Sequence, residues 1–265
     1  MAFQINTNLD ALNAYNALVK VNAQTAKAQL RLATMKRINR VADDTSGYKI
    51  GKQLEAENLK MQAQLNNLSS AKNWLSTAES AVILVNDKIN QIIAKQEDAK
   101  DPIKDQTSLQ NDVKALADEI NSILTNTKIN NSDVLANSVV SFGVGGGGTT
   151  TINIGGQINL TANQATLTAL QAGDATSLTT SVSTFQTAVN TALGYIGNWT
   201  QTFDSREEYL LTSVASNTAS ISRLFDADIA MEQLNSTKGQ IGSQIGTAML
   251  GTLNAAPQNI LSLFR

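Results

Sequence analysis

Near the start of the chain apolar or small residues return every three or four positions, at Leu9, Leu12, Val19, Ala23, Ala26, Leu30 and Ala33, with Asn16 filling the seam position between Leu12 and Val19. That spacing predicts an amphipathic helix with a narrow apolar face. A polar stretch from Lys36 to Gly47 follows, rich in Asp, Asn, Ser and Gly, which favours a turn-bearing connector. Beyond it, Leu54, Met61, Leu68, Leu75, Val82 and Ile89 recur at seven-residue intervals, with Ala71, Ala78, Val85 and Ile92 three positions later. A heptad held this long predicts a long helix with coiled-coil patterning that needs a neighbour along its seam. Asp101-Pro102 ends it, because proline lacks the amide donor and disfavours helix in the preceding residue. A shorter helix resumes through Leu109, Val113, Leu116, Ile120 and Ile123.

The second half mirrors the first. Val182, Phe185, Val189, Leu193, Ile196, Trp199, Phe203, Leu210, Val214, Ile221 and Leu224 outline another long helix, and Met231, Leu234, Ile241, Ile245 and Ala248 continue toward the C-terminus. Between the halves, Thr149 to Thr161 alternates apolar and polar residues around Gly155-Gly156, which predicts a β-hairpin with a two-residue turn there. The expected fold is mainly α: a long antiparallel helical hairpin or coiled-coil bundle in two coaxial layers, with a small central β-hairpin. The expected division places 1–44 with 226–265, 45–137 with 180–225, and 138–179 as a Gly/Thr-rich surface region. Trp74, Phe185, Trp199 and Phe203 are expected as core anchors.

Composition removes most chemistry. The 265 residues contain neither Cys nor His, so thiolate nucleophiles, imidazole bases and zinc sites built on them are excluded. Twenty basic residues against 22 acidic ones give a net charge of -2, which provides no basic footprint for nucleic acid. No apolar run is long enough to span a bilayer, and the Asn- and Asp-bearing first twenty residues do not read as a cleavable signal, so membrane insertion is not expected. Charge is also unevenly placed: from Ile129 to Phe203 only Asp133 and Asp174 are charged, and from Gly239 to Phe264 no residue is. Termini of that kind are too polar for lipid and too apolar to remain in water, which points to burial between like subunits.

The two ends carry a resemblance. Phe3-Gln4-Ile5-Asn6-Thr7-Asn8, Ala11-Leu12-Asn13-Ala14, and Arg37-Ile38-Asn39 with Ala42-Asp43-Asp44 and Gly47 closely resemble the start of bacterial flagellins. Arg223, Asp226-Ala227-Asp228-Ile229-Ala230 with Glu232, and Asn254 with the stretch from Pro257 to Arg265 resemble their ending. One departure is Ala33-Thr34-Met35, which stands where the family usually has Ser-Ser-Gly. The resemblance implies an exported, non-enzymatic subunit that polymerises into the flagellar filament, with paired terminal helices forming an inner tube. It implies as partners further copies of the chain, hook–filament junction proteins, a filament cap, an export chaperone and the type III export apparatus. No cofactor is expected. A hook–filament junction protein and a soluble coiled-coil adaptor are the alternatives.

Assembly contacts are expected from Leu9, Leu12, Val19, Leu30, Arg37, Asn39, Asp43, Asp44, Asp226, Asp228, Ile241, Ile245, Leu250, Leu253, Leu261, Leu263 and Arg265. Close backbone packing between subunits is expected at Gly239, Gly242 and Gly246, each of which costs a lone helix about 0.8–1 kcal/mol against Ala. Asp43, Asp44, Asp226 and Asp228 lack the spacing of a calcium loop. They are expected as cap and turn acceptors or as partners of Arg31, Arg37, Arg40 and Arg223. The run Gly145 to Gly148 lacks the following Lys-Ser/Thr of a phosphate loop and reads as a connecting loop.

Overall fold

The structure, a computed structural model, describes residues 8–135, 139–144, 149–158, 160–171 and 179–263. Within these, the helices are α1 (Leu9–Thr34), α2 (Thr45–Asp98), α3 (Gln106–Asn126), α4 (Ile154–Ile158), α5 (Leu160–Gln171), α6 (Thr179–Phe225) and α7 (Ile229–Leu263). The strands are β1 (Lys128–Ile129), β2 (Ser132–Asp133), β3 (Val140–Phe142) and β4 (Thr150–Ile152). The molecule is mainly helical, with two small two-stranded antiparallel sheets, β1 with β2 and β3 with β4. The chain forms two compact units, residues 1–58 with 215–265 and residues 59–214.

In the larger unit the heptad of α2 faces inward as its spacing predicts. Leu68, Leu75, Val82, Ile89 and the interleaved Ala71, Ala78, Val85 and Ile92 are all buried, together with Val182, Phe185, Val189, Ile196 and Phe203 of α6. Each large side chain taken out of water contributes about 1.5–3 kcal/mol. Polar contacts along the rim fix an antiparallel register: Lys72 Nζ reaches Asp204 at 2.7 Å and Glu207 at 2.8 Å, and Gln186 donates to Asn90 at 2.6 Å. The chain leaves α2 just before Pro102, and Asp105 restarts it as the cap of α3 by accepting from the Thr107 amide at 3.2 Å. Trp74, Phe185 and Phe203 are buried anchors, whereas Trp199 packs at the edge of the same cluster.

The expected hairpin around Gly155-Gly156 does not form. Those glycines lie inside α4, where the Asn153 side chain accepts from the Gly156 amide at 2.7 Å and caps the turn. Ile154 and Ile158, one helical turn apart, both become buried, whereas a hairpin turning at Gly155-Gly156 would place them on opposite faces. Strand β4 pairs instead with β3, aligning Val140 with Ile152 and Phe142 with Thr150. A two-residue hairpin does occur earlier, at β1 and β2, where Asn130 and Asn131 take φ values of 49° and 63°. Asparagine tolerates that left-handed region, and two such residues suit the turn that matches strand twist. The Gly145 to Gly148 run lies outside the described residues.

In the smaller unit α1 and α7 run antiparallel. Asn8, the N-cap of α1, donates its side-chain amide to the Leu253 carbonyl at 3.1 Å, and at the other end Arg31 Nη1 lies 2.8 Å from Glu232 Oε1. Beside that ion pair the two connectors zip together: the Arg37 amide donates to the Phe225 carbonyl at 2.6 Å and the Ala227 amide to the Met35 carbonyl at 3.0 Å. Phe225 fits against Gly51, where an added Cβ would lie 1.7 Å from its ring, and meets Tyr48 edge-on at 6.2 Å. Met35 closes α1 with φ 57°, so the left-handed cap is kept where the resembled family has glycine, at a steric cost of about 1–2 kcal/mol.

Candidate assembly surface

Which faces of α1 and α7 meet is decided by small residues. The inner seam of α1 is Ala11, Ala14, Leu18, Val21, Thr25 and Ala28, alternating three and four apart. Opposite it on α7 stand Ser236, Gly239, Gly242 and Gly246. A Cβ added at Gly239 would lie 1.9 Å from Thr25 Oγ1, one at Gly242 3.3 Å from Val21, and one at Gly246 3.0 Å from Leu18. Close packing was expected at these glycines between subunits; the structure shows it against α1 of the same chain. Small residues at the contact let two helix axes approach to the near end of the usual 8–10 Å range.

The apolar face read from spacing points the other way. On a 3.5-residue helix, Leu9, Leu12, Val19, Ala23, Ala26 and Leu30 lie roughly 130–180° from the seam of α1. Leu234 and Ile241 do the same on α7, and Met231 and Ile245 lie about 105° from its seam. Leu12, Val19, Ile241, Ile245 and Met249 keep 47–55% of their surface exposed, and Leu9 and Leu30 are exposed as well. Each terminal helix thus has two apolar faces, one used within the chain and one left outside; on α7 the inner face is the small-residue one, while on α1 the inner face keeps Leu18 and Val21 beside Ala and Thr. Periodicity finds both faces; only residue size separates them, and the Gly, Ser and Ala spacing of α7 was the available signal.

The remaining expected residues divide into structural and outward sets. Leu250 and Leu253 are half-buried on the seam side of α7, Leu261 and Leu263 belong to its last turns, and Arg265 lies outside the described residues. Arg37 Nη2 donates to the Leu224 carbonyl at 2.9 Å, and Asn39 Nδ2 to the Lys36 carbonyl at 2.8 Å. Asp43 accepts from the Asn39 and Arg40 amides at 3.2 and 3.1 Å and meets Lys27 Nζ at 2.6 Å. The Lys27 hydrogen bond, helped by those two amides and opposed by desolvation, lowers the Asp43 carboxyl to a pKa of about 2. Asp44 accepts from the Gly47 amide at 2.8 Å, Asp228 caps α7 by accepting from the Met231 amide at 3.1 Å, and Asp226 accepts from the Ser222 hydroxyl. Asp43, Asp44 and Asp228 thus take cap and turn roles, as expected, whereas Asp226 holds a side-chain hydroxyl. The cations differ: Asp43 takes Lys27, and Arg31 takes Glu232, which the spacing did not single out.

Among the described residues no cluster of three or more His, Cys, Asp or Glu side chains could hold a metal, and no helix is long and apolar enough to cross a membrane. Beside the seam, Asn22, Thr25, Gln29, Gln240, Ser243 and Gln244 line an open, uncharged groove of about 390 Å³.

These features define a class: a long-helix structural protein carrying apolar faces that its own fold leaves uncovered. The family follows from comparison. The model of the bacterial flagellin N-terminal helical region matches residues 5–139, and that of the C-terminal helical region matches residues 179–264. The chain belongs to the flagellin family and is a structural subunit of the flagellar filament. It is similar to a flagellin of Halalkalibacterium halodurans, 28% identical over 98% of this chain and 99% of that one. It is also similar to flagellin FlaB1 of Treponema pallidum, 26% identical over 98% and 99%, and to the flagellin of Bacillus subtilis, 24% identical over 99% and 100%.

Proposed function

We propose that this chain is exported and polymerises outside the cytoplasm through the outward faces of α1 and α7, without catalysing a reaction. The observation that carries the reading is the exposed set Leu9, Leu12, Val19, Leu30, Ile241 and Ile245 on helices whose own seam is already filled by other residues. Covering one such side chain contributes about 1.5–3 kcal/mol, and the contribution recurs for every subunit in a polymer. Contacts between unlike patches that do not close generate an open helical array rather than a ring. In this reading 1–44 with 226–265 form the inner layer, 45–137 with 180–225 the surrounding layer, and 138–179 the outer surface. Leu250, Leu253, Leu261, Leu263 and Arg265 extend the inner contacts. Family membership supports a type III export route, a chaperone for the C-terminal segment, a cap, and junction proteins as partners.

Seeded growth tests this. Purified chain is added to short filament fragments, and elongation is followed by negative-stain electron microscopy for the intact chain, a deletion of 239–265, and the double variant Ile241→Asp/Ile245→Asp. The intact chain elongates; both altered chains do not, while the double variant keeps the helical circular dichroism of the parent. Elongation by the double variant at the parental rate refutes the assignment of these faces.

A further inference from the structure

Between α1 and the connector lies a cleft of about 250 Å³ that none of the roles above uses. Its floor is apolar and small, made by Ala23, Ala26 and Leu30 on the outward side of α1. Its rim is cationic, with Lys27 and Arg31 from the helix and Arg40 from the connector. Two of these cations are matched within the chain, Lys27 by Asp43 at 2.6 Å and Arg31 by Glu232 at 2.8 Å. The Arg40 side chain, on an exposed residue, has no acceptor among the described residues, and Arg31 Nε is buried without one. Arg40 makes no ion pair with Asp43, whose Oδ2 accepts from the Asn39 and Arg40 amides and whose Oδ1 meets Lys27. Three cations against Asp43 and Glu232 leave one positive charge in excess over an apolar floor.

We propose that this cleft receives a carboxylate-bearing segment of a second copy of the chain, an Asp or Glu side chain with an apolar neighbour. Charge complementarity selects that occupant. The chain carries 22 acidic residues against 20 basic ones, so a second copy supplies the missing carboxylate. Its charge-free stretch from Gly239 to Phe264 does not, which removes the C-terminal part of α7 as the ligand. A guanidinium is suited to the task because it can hold a carboxylate by two parallel hydrogen bonds, and the apolar floor excludes water around the pair. The proposal rests on the polymerising role above, and it adds an ionic contact that gives one neighbour a preferred position on the outward face.

The test joins a rate with a map of contacts. Arg40→Glu lowers seeded elongation at least tenfold at low salt, Arg40→Lys recovers most of the rate, and raising salt narrows the gap between parent and variant. The thermal midpoint of the monomer stays unchanged, because the Arg40 side chain holds nothing within the chain. In parallel, p-benzoylphenylalanine placed at Ala26 is copolymerised as one part in ten with unmodified chain, so that filaments form even if the label impairs packing. After irradiation, mass spectrometry finds an interchain link to a peptide containing Asp or Glu. Parental elongation by Arg40→Glu, or a link only within one chain or to 239–265, overturns the proposal. If the unsubstituted chain fails to elongate, the polymerising role itself is what has failed.

Discussion

The two units use the same helical spacing of apolar residues to opposite ends. In the larger unit Leu68, Leu75, Val82 and Ile89 point into a core shared with Phe185, Val189 and Phe203. In the smaller unit Leu12, Val19, Ile241 and Ile245 stand outside, and the seam sets Gly and Ser of α7 against Ala, Leu18, Val21 and Thr25 of α1. Burial is thus completed within the chain in the first case and left incomplete by it in the second. A seven-residue stripe reports that a helix has a face to cover, and the size of the residues on its other faces decides whether the chain covers it itself.

Truncation separates the two uses most strongly. Phe203→Ala removes a fully buried ring and costs about 3–5 kcal/mol of stability, measured by chemical denaturation of the monomer. Leu12→Ala or Ile241→Ala changes that quantity by less than about 0.5 kcal/mol and instead raises the monomer concentration needed for growth. Equal losses at Phe203 and Ile241 would remove the distinction between the units.

Glycines give the next contrast. Gly239→Ala places a methyl 1.9 Å from Thr25 Oγ1 and destabilises the smaller unit by about 1–3 kcal/mol through overpacking, with partial recovery on adding Thr25→Ala. Gly197→Ala on α6 meets nothing within 4 Å and raises stability by about 0.8–1 kcal/mol, the ordinary helix preference. Thermal melts of the two variants and the double variant decide between these outcomes.

Acid has a smaller effect. The Asp43 carboxyl is lowered from 3.8 to about 2 by Lys27 and the two backbone amides, so its contribution is present above pH 4 and disappears as pH falls through about 2. Asp43→Asn therefore costs about 1–2 kcal/mol at neutral pH, a figure reduced for its partial exposure, and flattens the dependence between pH 4 and 2. A variant whose stability still falls by the parental amount over that interval locates the acid sensitivity elsewhere.

Much of this was legible because it depends on local rules. The heptad from Leu54 to Ile89, the stop at Pro102 and the restart near Leu109 follow from side-chain period and from proline's missing donor. The turn at Gly155-Gly156 was misread because alternation over a short window fits a strand as well as one turn of helix. Asn153 and the burial of Ile154 and Ile158 decided the outcome. The hairpin at Asn130-Asn131 carried its own signal, two residues that tolerate positive φ. In the candidate site, the assignment of Asp43, Asp44 and Asp228 to turns and caps was legible. Lys27 and Glu232 as ionic partners were not, since each comes from another segment of the chain.

By itself the sequence determined the helical class, the mirrored order of long helices, the charge-free terminus and the family, because periodicity, breakers and motif order are written along the chain. Tertiary structure alone decided which of two apolar faces on α1 and α7 is spent within the molecule. That choice depends on how closely two backbones can approach, and the fit of Gly239, Gly242 and Gly246 against Thr25, Val21 and Leu18 settles it by shape rather than by hydrophobicity.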